Sequence, residues 1–222
     1  MQVGGAPQGP RAGGGCRTRT VRGGLGPDRD RTLGGKDGAR RPRGRETAGP
    51  GHTARGGAGH LVGRGPVSGS FAVIDELTVA YLDFAGSNAE TVAHLRENGR
   101  ITLMWCAFQG PPNIVRVHGR GEPVFRDDPR FGALLARFPA VDPGPHGLRA
   151  IIVVKAELIR DTCGFAVPFM SYDEDRPLHA HRFAREDDAS LSVYFEKKEH
   201  VATSIDGLPG LPLPLPAMPR AE

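Results

Sequence analysis

Aromatic residues and isoleucine are missing from the first 65 of the 222 residues, and acidic charge is scarce there. That stretch holds no Phe, Tyr, Trp or Ile and only four acidic residues, against 20 glycines and 12 arginines. Ordering a backbone costs about 1–2 kcal/mol per residue, and the segment has no apolar area to offset it. Residues 1–65 are therefore expected to form a disordered tail. Long apolar runs are missing too. Nothing approaches the roughly 20 apolar residues of a membrane helix, and no apolar stretch follows the N-terminus as it would in a secretory signal. Cysteine is rare, and Cys16, Cys106 and Cys163 lie too far apart for a zinc set or a disulfide framework. A cytoplasmic protein in a reducing setting is the expectation. GxSxG, HExxH, P-loop and CxxC patterns are all absent, so the sequence marks no catalytic residue and no metal ligands.

Charge divides the chain. The tail carries +9, and subtracting that from the whole chain's +4 leaves −5 for residues 66–222. An Arg/Gly segment can bind RNA through charge and guanidinium stacking. Here the Arg–Gly spacing is irregular and no aromatic residue is interleaved, so nucleic acid is not the expected partner. An unselective linker and an over-extended or frame-shifted start are the other readings of the tail.

From residue 66 onward the pattern is that of a fold. Ser70–Asp75 and Thr78–Phe84 read as short strands around an Asp75-Glu76 turn. Ser87-Asn88-Ala89-Glu90 reads as a capping box opening a helix of about ten residues, with Asn98-Gly99 as its stop. Arg100–Phe108 is a continuous apolar run, expected as a strand buried on both faces. Ile114–Phe125 alternates, with Arg116, His118, Arg120 and Glu122 on one face and a bulge predicted at Gly119 or Gly121. Asp128-Pro129 opens a second helix, and Arg149–Arg160 is the longest strand. CGFAVPF is expected to continue the sheet. Pro177–Asp188 and Ala189–His200 read as helices, and the proline-rich end as an extended run over the surface. Strands with short helices at the joints, without regular βαβ alternation, predict a mainly β architecture with attached helices, an antiparallel split barrel. The expected division is a tail over 1–65, a domain over 66–205 and an extended C-terminal segment over 206–222.

The turn over Gly86–Thr91 is the stretch with the most chemical interest. A Gly-Ser-Asn turn entering a helix presents backbone N–H groups and the positive end of the helix dipole to an anion such as phosphate. Cys106 reads as a buried small hydrophobe, and His179 and His181 as structural or surface residues. His118 on its polar face is a candidate ligand only for a haem-type reading.

YLDFAGSNAETVAHLRENGRITLMWCAF, followed by IVRVHGRGEPV, resembles the core of the pyridoxamine 5′-phosphate oxidase-like family of FMN-binding split barrels. The similarity extends over RFPAVDPGPHGLRAIIVVKAELIRDTCGFAVPFM and the late SIDGLPGL, roughly residues 67–211. It implies a homodimer that binds FMN between subunits and a small-molecule substrate, and that performs hydride-transfer redox chemistry as an oxidoreductase. Some relatives use a deazaflavin or haem instead. By the same resemblance the cofactor contacts fall on Ser68, Leu82, Asp83, Ser87, Asn88 and Thr91. Two departures stand out. Oxidases proper carry an Arg-Lys pair after the turn serine, where this chain has Asn88 and Ala89. The family's first strands are replaced by the Gly/Arg segment, and the pattern resumes at Pro66-Val67-Ser68, which allows a truncated, non-enzymatic barrel as the alternative.

Overall fold

The computed structural model describes residues 19–22, 47–53, 59–61, 69–86, 89–139, 147–174, 177–183 and 185–219. Eight strands join in one antiparallel sheet: β1 (Arg19–Arg22), β2 (Thr47–Thr53), β3 (Gly59–Leu61), β4 (Phe71–Val73), β5 (Thr78–Phe84), β6 (Arg100–Cys106), β7 (Ile114–Phe125) and β8 (Leu148–Thr162). The hydrogen-bonded path runs β3-β2-β6-β7-β8-β5-β4, with β1 also on β8. No described pairing joins β3 to β4, so the sheet is open. The expected architecture, antiparallel strands with helices at the joints, is the one observed.

β8 is the axis of the sheet. Along one edge it pairs with β7 from Ala150 to Thr162, and its other edge is shared by β5 and β1. Its residues Leu148, Ala150, Ile151, Ile152 and Val154 are all buried, which explains why RAIIVVKAELIR lacks clean alternation: both faces are covered. The register slips between His118 and Gly119, at the predicted bulge. A Cβ on Gly119 would collide with the Lys155 carbonyl oxygen, so only glycine lets the two strands approach there.

Two apolar layers sandwich the sheet. On one side lie Val79, Val92, Leu95, Ile101, Leu103, Val117, Ile152 and Val154, closed by Phe183, Leu191, Phe195, Leu211 and Leu215. On the other lie Ala80, Leu82, Val124, Phe131, Phe138, Leu148 and Ile151. Burying a side chain the size of Phe131 or Phe195 contributes about 2–3 kcal/mol.

Helix α1 (Glu90–Asn98) ends as expected, with Gly99 at φ 69° and its N–H on the Leu95 carbonyl. Its start differs. Ala89 is the N-cap and no described side chain caps the helix, while Glu90 Oε1 instead accepts the N–H of Ile205 at 2.7 Å. Helix α2 (Phe131–Leu135) is a single turn seating Phe131. The two expected late helices are three: α3 (Leu178–Phe183), α4 (Asp188–Glu196) and α5 (Glu199–Ala202). Asp187 draws the boundary of α4, accepting from Ser190 N at 2.8 Å while Ser190 Oγ accepts from Asp187 N at 2.9 Å.

CGFAVPF does not continue the sheet. Val167 N bonds Gly164 O in a turn, Pro168 has no N–H to give a ladder, and Phe165 and Phe169 stand in solvent. Among its described residues the proline-rich end has no helix or strand, yet Leu211 and Leu215 are core residues. Within 1–65, β1, β2 and β3 are the described segments, and the rest of the predicted tail lies outside the described residues.

Candidate functional site

The site predicted from the sequence sits where β5 leaves the sheet. β5 alternates as a half-buried strand should: Ala80 and Leu82 enter one layer, while Val79, Tyr81 and Ala85 belong to the other. Asp83 shares the face of Tyr81 and meets Arg149, which β8 places beside it. Arg149 Nε lies 2.9 Å from Asp83 Oδ2, and Nη2 lies 3.0 Å from Oδ1. This is a fork-on-fork pair, with only 3% of the Arg149 side chain and 13% of Asp83 exposed.

The phenol of Tyr81 is the unusual group here. Its hydroxyl is buried and has no hydrogen-bond partner among the described residues. Burial pushes its pKa well above the ordinary tyrosine value; the Asp83 carboxylate adds to that rise and Arg149 opposes it. The hydroxyl is thus a neutral donor held in the protein interior.

The predicted cofactor residues divide into two groups. Leu82 turns its side chain into the second core layer, and its N–H bonds Ser70 O at 2.9 Å, so neither faces the turn. Asp83 has both carboxylate oxygens on Arg149. Thr91 is half-buried in the first turn of α1. Ser68, Ser87 and Asn88 lie outside the described residues. Sequence reasoning missed Tyr81 and Arg149. Tyr81 stood in an apolar strand where a core role was the natural reading, and the pairing of Arg149 with a residue 66 positions earlier has no local signal.

His118 sits at the bulge on β7, its Nδ1 2.9 Å from Thr102 Oγ1. Burial depresses its pKa below the usual imidazole value, with Arg116 and Arg160 adding to the effect. His179 is a structural residue, as expected: its Nε2 lies 3.0 Å from Ala85 O and its ring packs between Phe84 and Phe183. Cys106 is half-buried at the end of β6. No helix among the described residues is long and apolar enough to cross a membrane.

Comparison with known proteins bears on this same stretch. Residues 59–163 match the family model described as pyridoxamine 5′-phosphate oxidase. A pyridoxamine 5′-phosphate oxidase family protein of Aspergillus flavus, ustO, is 33% identical over 159 residues, 67% of this chain. The chain spans 63% of that relative's length. Among solved structures, a Listeria innocua protein provisionally described as a pyridoxamine 5′-phosphate oxidase aligns at TM-score 0.37 and 12% identity, over 52% of this chain and 86% of its own. A conserved hypothetical protein of Mycobacterium tuberculosis aligns at TM-score 0.37 and 18% identity, over 58% and 85%. With β5, α1, β6, β7 and all of β8 lying inside the matched residues, this chain belongs to the pyridoxamine 5′-phosphate oxidase-like family.

Proposed function

We propose that the chain binds FMN through the β5–turn–α1 unit, as one subunit of a homodimer, and acts as an FMN-dependent oxidoreductase. The observation that carries this reading is the buried, unpartnered Tyr81 hydroxyl on the strand that feeds the start of α1. A buried hydroxyl left without a partner costs about 1–3 kcal/mol, which an acceptor atom on a ligand would relieve. Two further features fit a phosphate-bearing group. No described side chain caps α1, so its first-turn N–H groups face the turn. The Asp83–Arg149 fork stiffens the strand end beside them.

In this reading the N–H groups of the first turn and the Thr91 hydroxyl hold the phosphate. Ser68, Ser87 and Asn88 complete the contacts by family position. Arg149, committed to Asp83, acts by positioning the strand. The bound flavin would supply hydride transfer, with the protein giving orientation and hydrogen bonds. Asn88 and Ala89 stand where oxidases proper carry a cationic pair, so the family resemblance does not imply pyridoxamine phosphate as the substrate. The exposed Phe165, Phe169, Met170 and Tyr172 after β8 offer apolar surface that a second copy would cover.

The test is a titration of the purified full chain with FMN, followed by flavin fluorescence quenching. Saturable binding is expected, and Tyr81→Phe should weaken it about tenfold, the size of one lost hydrogen bond. The same variant should leave the stability of the ligand-free chain unchanged or slightly higher, because the hydroxyl it removes has no hydrogen-bond partner among the described residues. A chain that stays colourless and quenches no added FMN would overturn the reading.

A further inference from the structure

We propose that Glu90, His94 and Asp206 form a binding site for one divalent transition-metal ion, with zinc the best match. The site lies on the face of α1 turned to the C-terminal segment, and the proposal does not rest on flavin binding. Glu90 and His94 are four residues apart on one helix, so their side chains stack on the same face. Asp206 arrives from the turn Ser204–Gly207, closed by the bond from Gly207 N to Ser204 O. One oxygen or nitrogen from each of the three residues lies within 4.8 Å of the others.

The spacings point to a shared ion rather than to direct bonds. His94 Nε2 is 3.4 Å from Asp206 Oδ1 and 3.7 Å from Glu90 Oε2. A charge-assisted N–H···O bond closes to about 2.7–2.9 Å, so both distances are long for an imidazolium held between carboxylates. Four-coordinate zinc with arms of about 2.0–2.1 Å sets its ligand atoms about 3.3–3.4 Å apart. The two distances from His94 already stand near that separation, and the Glu90 and Asp206 carboxylates lie within 4.8 Å of each other.

Each ligand is also held as a ligand should be. The Glu90 side chain is 12% exposed, and its Oε2 is buried without a hydrogen-bond partner among the described residues. Its other oxygen is fixed by Ile205 N at 2.7 Å. Asp206 Oδ1 accepts the hydroxyl of Ser204, an outer contact that orients the carboxylate. The His94 ring is 1% exposed, while Asp206 keeps 37% of its side chain in solvent, which leaves an open side for a water as fourth ligand. Two carboxylates and a neutral imidazole balance a dipositive ion. Bound there, the ion would clasp the C-terminal segment to α1.

The sequence carried half of this signal, since Glu and His four apart in a helix can share a metal. The third member lies 112 residues beyond His94, and nothing local connects the two.

The experiment uses the full chain, stripped with a chelator and then titrated with Zn²⁺ against a chromophoric competitor, and separately with Co²⁺. One equivalent of each should bind, and Co²⁺ should give the intense visible bands of a tetrahedral site. Asp206→Asn, a change on an exposed turn, should weaken Zn²⁺ at least tenfold with the circular dichroism spectrum unchanged; Glu90→Gln should do the same. Failure of the wild-type chain to bind either ion stoichiometrically at micromolar concentration would overturn the site in favour of a plain ion-pair staple. So would affinity indifferent to both substitutions. FMN titration of the same samples is a separate readout, so either proposal can fail alone.

Discussion

The N-terminal end of this molecule is rich in glycine and the C-terminal end in proline, and they join the sheet in different ways. The described parts of the N-terminal 65 residues, β1, β2 and β3, meet the sheet as backbone ladders: β2 along β6 from Thr47 to His52, β1 along β8 from Arg19 to Arg22. The C-terminal segment after α5 makes only one isolated bridge, Thr203 with Pro209. It is held instead by side chains. Leu211 and Leu215 enter the core, Arg96 donates to the carbonyls of Pro209 and Gly210, and Arg126 donates to that of Pro216. Regular structure and attachment are therefore separate properties. Two leucines spaced four apart, with carbonyls that proline leaves free to accept, fix a segment that forms no helix or strand.

Arg126 gives the largest expected effect. Its side chain is fully buried, with Nε on Leu148 O at 2.8 Å and Nη1 on Asp188 Oδ1 at 2.6 Å and on Pro216 O at 3.3 Å. One guanidinium thus ties β8, the first turn of α4 and the C-terminal segment together. Arg126→Ala should cost about 3–4 kcal/mol, because it orphans a buried carbonyl and strips a partly buried carboxylate of its partner. Urea unfolding monitored by circular dichroism measures it. A loss below about 1 kcal/mol would show that the Arg126 contacts do little to hold the C-terminal segment, leaving its leucines and Arg96.

The leucines provide the next test. Leu215→Ala removes a side chain 5% exposed and should cost about 2–3 kcal/mol. Leu213→Ala, at a residue 41% exposed, should change stability by less than about 0.5 kcal/mol. Equal effects in the two variants would mean that the segment does not pack as the comparison requires.

The contrast between the ends also separates what could be read in the sequence from what could not. β5 and β7 have the bounds that their alternation and flanking turns predict, and the Gly119 bulge falls where a strand glycine signals it. Those are local patterns of period two. α1 ends at its glycine and starts at Glu90, while its expected cap Ser87 lies outside the described residues and the Glu90 carboxylate bonds Ile205, a residue 115 positions away. The same limit hid the candidate site. A turn entering a helix was visible; Arg149 on Asp83, the orphaned Tyr81 hydroxyl and Asp206 near His94 were not, since each is set by which strands and segments become neighbours. CGFAVPF misled in the opposite sense, being apolar enough for a strand while Pro168 lacks the N–H a ladder needs and Phe165 and Phe169 stand in solvent. Proline-rich sequence likewise suggested a surface run, although proline forbids helix and sheet without forbidding burial of the leucines between.

Removal of residues 1–58 gives the sharpest test of the comparison. The truncated chain would begin at Gly59, where the match to the family model begins, and would lose β1 and β2 while keeping both apolar layers. Backbone hydrogen bonds made on folding replace bonds to water, so each rung of the β1 and β2 ladders contributes little net free energy. The unfolding free energy should therefore fall by less than it does in Leu215→Ala. A second effect should accompany it. β6 would lose its partner along Ile101–Cys106 and present a bare row of N–H and C=O groups, the template on which strands of other chains add. Sedimentation velocity should then show concentration-dependent association into species larger than those of the full chain. If the deletion instead costs as much as Arg126→Ala, the N-terminal ladders carry as much of the fold as the C-terminal side chains do, and the distinction between the two ends fails.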